Sequence, residues 1–345
     1  MIDFRYHLVS IVAVFLALAI GIVLGSTELQ GPAYNLLNQT TSKLQNELDQ
    51  ATSQRDAAQQ QASQDESYAQ AVEPAVLRDL LPGQRLLIVT EPGAQASVVS
   101  GLSAAAIDAG ATVTGQINLS PKFFDSSGTT QDTLNQVTVN AAQAAGLTLD
   151  ASATYQQQAA HVIAGEILSA SPASSGSAGS RPASGNQATG AAAMLQSYAA
   201  SQFLTTTGQP ATPATLVSVV TPQNAPSDGS ADQLDQVLIP LAQELAAKSA
   251  ATVVAGSSSG SGAGSPIAVL RSNNASSQVS TVDDADLVSG QTVAIQALAA
   301  QLAGGKAGSY GFTANGATAV APSPAPTPTV SPGATSTPST KKGKK

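Results

Sequence analysis

The chain contains no cysteine and no tryptophan, and it has only two methionines, two histidines, six tyrosines and six phenylalanines among 345 residues. Without cysteine there are no disulfides, thiolate zinc sites, iron–sulfur clusters or Cys nucleophiles. Two histidines, at positions 7 and 161, leave little for an imidazole metal site or a catalytic triad. Charge is scarce too: charged residues make up 10% of the chain, with 14 Lys+Arg against 22 Asp+Glu. Four of the positive charges (Lys341, Lys342, Lys344 and Lys345) stand in the last five residues, which leaves 10 against 22 elsewhere, a balance of −12. Such a body has no basic surface to neutralise phosphates, and nucleic acid is excluded as a partner. Zero cysteine suits cytosol and exterior equally and assigns no compartment.

Long apolar runs are also rare, and one stands at the start. Residues 8–25 carry no charge and one hydroxyl, Ser10. At 1.5 Å per residue they span roughly 27 Å, close to the hydrocarbon thickness of a bilayer. Arg5 precedes the run and Glu28 is the first charge after it, which favours a cytoplasmic N-terminus (1–7) and an extracytoplasmic bulk. A cleaved signal peptide is the rival reading, but Leu24-Gly25-Ser26 is a poor cleavage site. Small residues fall at every fourth position: Ala13, Ala17, Gly21 and Gly25. In lipid such a ridge lets two backbones approach closely, so the anchor is expected to dimerise.

Residues 32–73 read as a coiled-coil stalk. No Gly or Pro occurs in 34–73, and a 4-3 spacing runs Leu37, Thr41, Leu44, Leu48, Ala51, Arg55, Ala58, Ala62. Gly31-Pro32 predicts a break after the membrane helix, and Pro74 is expected to limit the far end. A lone polar helix or a partly disordered stalk is the alternative. With the anchor ridge, the seam points to a homodimer.

From 84 to 313 the chain reads as an extracytoplasmic α/β domain. Strands are predicted at 85–90, 111–119, 216–220, 252–255 and 267–270, with 279–282 as one more. Helices are predicted at about 95–109, 130–145, 152–169, 190–204, 232–250 and 287–302. Short apolar strands among helices suggest an open, mostly parallel sheet with right-handed crossovers. The Ser/Gly/Ala/Pro tract at 170–189 reads as a flexible insertion. From 314 to 345 the chain turns to Ala, Pro, Thr and Ser, a disordered tail ending in KKGKK. The fold class is therefore α/β, preceded by a transmembrane helix and a stalk.

Two stretches carry a resemblance. Phe4-Arg5-Tyr6-His7-Leu8-Val9-Ser10 runs straight into the apolar segment. Near the end stand Val279-Ser280-Thr281-Val282-Asp283-Asp284-Ala285-Asp286, then Gly290, and the stretch 300–311 closing in Gly308-Ser309-Tyr310-Gly311. Together these resemble the actinobacterial MctB family, over about residues 1–313. The resemblance implies a cell-envelope protein of copper transport, copper efflux or copper homeostasis. Related proteins of similar architecture imply instead a scaffold or adaptor that regulates cell-wall or division partners.

The ligand inventory bears on that implication. Cu(I) prefers thiolate or thioether and Cu(II) imidazole. Met1 and His7 fall on the predicted cytoplasmic side, so only His161 and Met194 are candidates outside. A β-barrel channel needs repeated alternating strands with aromatic girdles, which this helical patterning does not provide. The acidic run Asp283, Asp284, Asp286 has two readings: a hard-cation or partner site at a sheet edge, or side chains accepting from a helix N-terminus. The Gly-rich tract at 260–264 precedes a strand rather than opening a helix, no GxxxxGK[ST] occurs, and no G-x-S-x-G elbow appears. No enzyme is expected, and no cofactor beyond the copper that the resemblance implies. The cationic tail end has two readings as well, a contact for anionic wall polymer or lipid and a solvated terminus.

Overall fold

The computed structural model describes residues 4–168, 185–223, 231–257, 265–272, 277–311, 319, 321 and 322. The chain divides into two units, Met1–Ser67 and Tyr68–Lys345.

The first helix, α1 (Phe4–Leu77), runs without interruption for 74 residues. The break expected at Gly31-Pro32 is absent, and Pro74 lies inside the helix rather than ending it. A proline removes one bond of the helical ladder and leaves those on either side in place. The apolar run before Pro32 and the Gly-free run after it are each strong enough to continue through. Leu37, Leu44 and Leu48 are exposed along the first unit.

The second unit opens with the last turns of α1 and takes in Leu77 and Leu81, both fully buried. Its sheet has seven strands in the order β3-β2-β1-β4-β5-β6-β7. These are β1 (Arg85–Thr90), β2 (Thr112–Leu119), β3 (Leu204–Gly208), β4 (Leu216–Val220), β5 (Ala251–Ala255), β6 (Ser280–Val282) and β7 (Ser309–Tyr310). All neighbours are parallel except β3, which pairs antiparallel with β2 at one edge. The open, mostly parallel sheet is the one the strand–helix alternation predicted.

Helices cover both faces, which is why the central strands are continuous apolar runs. In β1, Leu87 and Val89 face one hydrophobic cluster, while Leu86 and Ile88 face the other. The first cluster is closed by α3 (Pro121–Phe124), α4 (Gly128–Ala145), α5 (Tyr155–Ile167), α6 (Gly185–Ala200), α7 (Ala231–Lys248) and α8 (Pro266–Ser272). The second is closed by α2 (Ala96–Asp108), α9 (Val288–Leu302) and the end of α1. Tyr198 is buried in the first cluster with its hydroxyl 2.9 Å from Thr138 Oγ1, and burial pushes its phenol up to about 12, so it stays neutral.

Several expectations differ from what is found. Residues 267–270 are part of helix α8, not a strand. Ser265 caps it, its Oγ accepting from the Ala268 N–H at 3.2 Å, and Pro266 takes the first position, where no N–H is needed. The 190–204 segment is helical only to Ala200; Gln202, at φ 63°, turns the chain into edge strand β3. The Leu-Thr-Thr-Thr-Gly strand gave no apolar alternation to read. Of the 170–189 insertion, residues 185–189 begin α6, and the rest lies outside the described residues, as does nearly all of the 314–345 tail.

Candidate functional site

The order of the sheet reverses at β1, which has β2 on one side and β4 on the other. In open α/β sheets the crevice beyond the carboxyl ends of such strands is the usual place for a ligand. Here the loops that follow β1 and β4 close on each other. The Glu91 N–H donates to the Val220 carbonyl at 3.0 Å, and Gln95 Nε2 donates to Gln223 Oε1. Thr90 Oγ1 donates to Asn118 Oδ1 at 2.8 Å, tying β1 to β2 at the same end. Glu91 is buried in this edge.

The acidic run lies beyond the carboxyl end of β6. Asp283 and Asp284 are fully buried and Asp286 is half-buried. Asp283 Oδ2 is 2.8 Å from Arg271 Nη1, with the two side chains 0% and 4% exposed. Arg271 also donates from Nε to Thr281 Oγ1 at 3.0 Å and from Nη2 to the Tyr310 carbonyl at 2.7 Å. One guanidinium thus binds α8 to β6 and β7. Helix α9 starts after Leu287, whose side chain cannot cap it, and has no acidic residue in its first turn. Asp283 therefore neither caps that helix nor faces solvent as an open cation ligand. Its carboxylate holds the far edge of the sheet together.

Arg271 was not among the residues the sequence singled out, although a signal was present. It is the one charged residue between Lys248 and Asp283. A lone cation in a long neutral stretch, followed by an acidic triplet, is what a buried ion pair looks like in sequence.

His161 lies on α5, half-buried, with Nδ1 2.9 Å from Glu244 Oε2 on α7. When Nδ1 carries the proton toward Glu244, the lone pair is on Nε2. Glu166 follows on the same helix, and burial pushes its carboxyl above the usual range. Met194 is on α6, 5% exposed and packed in the first hydrophobic cluster, where its thioether is a core group. Among the described residues no three His, Cys, Asp or Glu side chains are placed to hold one metal ion.

In the first unit, Arg5–Gly25 is long and apolar enough to cross a membrane, with a mean hydropathy of 2.9. Ala13, Ala17, Gly21 and Gly25 are exposed, as are Leu37, Leu44 and Leu48. Because α1 is continuous, the phase between the small-residue ridge and the leucine seam is set. Twelve residues of α-helix separate Gly25 from Leu37, which turns the two about 120° apart. A straight pair of helices therefore cannot meet through both faces at once.

Comparison with known proteins adds the last finding. The family model described as "Copper transport outer membrane protein, MctB" matches residues 1–322. The copper transporter MctB of Mycobacterium tuberculosis (strain ATCC 25618 / H37Rv) is 28% identical over 323 residues, covering 93% of this chain and 99% of that protein. The Mycobacterium bovis protein of the same name gives the same figures. That of Mycobacterium leprae (strain TN) is 26% identical over 325 residues, with 93% and 99% covered.

Proposed function

The chain belongs to the MctB family, and from that membership we propose that it serves copper transport, as efflux or homeostasis, as a membrane-anchored, non-catalytic envelope protein. The observation that carries this reading is the extent of the match, which runs from the apolar N-terminal segment past β7. Arg5–Gly25 is the proposed anchor, and the positive flank at Arg5 favours a cytoplasmic N-terminus with the α/β unit outside. The names of the family and of its relatives lend no support to a cell-wall or division adaptor.

Copper in this reading is cargo. A selective resident site needs several soft or imidazole donors converging on one point, and the α/β unit offers a single imidazole. His161 meets the ion one donor at a time, oriented by Glu244 through its Nδ1. Weak contact suits movement, since a site that passes an ion along must also release it. Deleting the gene should raise cell-associated copper and lower the copper concentration that stops growth, and the intact gene should restore both. Unchanged copper content together with unchanged sensitivity would remove the reading.

The partner proposed for the stalk is a second copy of the chain, paired through Leu37, Leu44 and Leu48. The absence of native cysteine makes this simple to test. Leu44→Cys should give a disulfide-linked dimer in membranes, and adding Leu37→Asp and Leu48→Asp should abolish it. Gly21→Leu with Gly25→Leu should leave that dimer intact, because the ridge lies on another side of the helix. Loss of the Leu44→Cys dimer in the glycine variant would put the pairing in the membrane instead.

A further inference from the structure

A cleft of about 350 Å³ opens between α3, the start of α4, the N-terminus of α5 and α7. Its walls include Phe124, Gln131, Thr154, Tyr155, Gln156 and Gln236, and none of the described residues lining it is charged. It has no donor suited to copper, so it is separate from the transport reading and does not rest on it.

The polar groups around the cleft are mostly satisfied. Asp125 holds the approach to α4 by accepting from the Ser127 N–H and from the hydroxyls of Ser127 and Thr130. Thr154 Oγ1 accepts from the Gln157 N–H at the start of α5. Gln158 is buried, and its amide donates to the carbonyls of Asp150 and Ala153. Gln156 differs. It is 6% exposed and lines the cleft, yet none of the described residues hydrogen-bonds its side-chain amide. Neither polar atom of that amide is sealed inside the protein, so what reaches them comes through the cleft. A buried amide left without partners costs free energy, and this one is placed where a ligand can complete it. The N–H groups of Tyr155 and Gln156 add to it, since the first turn of a helix has no intrahelical acceptor for them.

We propose that this cleft binds a neutral saccharide, with one or two rings bearing hydroxyl or acetamido groups. The described lining is polar and uncharged, which disfavours ions and phosphorylated ligands. An amide offers two donors and an acceptor, which matches hydroxyls that both donate and accept. Half-buried Tyr155 supplies apolar aromatic surface for the C–H face of a ring. The volume lies at the small end of the range for ligand sites, about 300–1,000 Å³. Gln156 and the first-turn N–H groups orient the ligand, and the half-buried Tyr155 carries its apolar face.

The test uses the full-length protein in a detergent without a sugar headgroup. N,N′-diacetylchitobiose, maltose and the neutral peptide trialanine amide are titrated by calorimetry and by saturation-transfer NMR. Saturable binding of one of the sugars and none of the peptide is expected. Gln156→Leu should weaken sugar binding about tenfold without lowering the melting temperature, because this side chain has no protein hydrogen bond to lose. Gln236→Ala, on the exposed side of α7, should weaken it several-fold with the fold intact. Absence of binding by both sugars, binding of the peptide instead, or equal sugar affinity in wild type and both variants would overturn the assignment.

Discussion

Asp283→Ala is expected to cost the α/β unit about 3–5 kcal/mol, the loss seen when one partner of a buried ion pair is removed. Arg271 then keeps Thr281 Oγ1 and the Tyr310 carbonyl, but its charge, 4% exposed, loses its compensating carboxylate. The side chain cannot swing into water without releasing β7 and the edge of β6. Urea unfolding followed by near-UV tyrosine dichroism measures the loss, since Tyr155, Tyr198 and Tyr310 all lie in this unit. Replacing both partners, Arg271→Met with Asp283→Leu, should recover most of the loss, because neither member of the pair is left as a buried charge without the other. An unchanged urea midpoint in Asp283→Ala would show that the ion pair contributes nothing to this edge.

Gly290→Ala should be nearly as damaging, for a different reason. A Cβ at position 290 would stand 1.9 Å from the carbonyl oxygen of Asp284 and 2.2 Å from its carbon. The obstacle is backbone, so no rotamer relieves it, and the start of α9 must move away from the turn after β6. Overpacking of this kind costs typically about 1–3 kcal/mol, and an obstacle of main chain puts this case at the top of that range. Gly128→Ala is the control. It lies on α4, with nothing within 4 Å of the added carbon, and should be neutral or stabilising by about 0.4–1 kcal/mol. A melting temperature for Gly290→Ala equal to that of Gly128→Ala would rule out the close approach. Losses of this size lower abundance in the cell, so, on the proposed transport role, both Asp283→Ala and Gly290→Ala should also weaken copper tolerance.

These two residues show how the resemblance and the fold are connected. The stretch 279–286, Gly290 and the closing Gly308-Ser309-Tyr310-Gly311 are distant marks along the sequence and one structure in space. Asp283 meets the guanidinium that also holds Tyr310. The Gly308 N–H donates to Ser280 Oγ at 3.2 Å, and the Thr281 N–H donates to the Gly308 carbonyl at 2.9 Å. Gly311, at φ 143°, comes so close to Asp283 that an added Cβ would stand 1.6 Å from Oδ1. The C-terminal stretch that carries the resemblance is thus a clasp at the sheet edge. Asp283 is half of a buried ion pair within that clasp.

Local chemistry was enough to read the apolar N-terminal helix, the α/β class, the central strands and the scarcity of copper donors from the residues alone. Continuous apolar runs, helical periodicity and simple counts do not depend on distant contacts. What the chain does with Asp283, Met194 and Gln156 was decided by tertiary structure. A carboxylate is a ligand, a cap or half of an ion pair according to what faces it, and Arg271 faces Asp283 only once α8 and β6 are in place. Met194 is a candidate thioether in sequence and a core side chain in space. Gln156 and Gln158 look alike on paper, but only one finds acceptors among its neighbours. The helix over 266–272 follows from a local Ser-Pro start that outweighs the strand-like residues after it. The continuity of α1 sets the ridge and the seam on different faces, because a helix without a break carries its phase along its whole length.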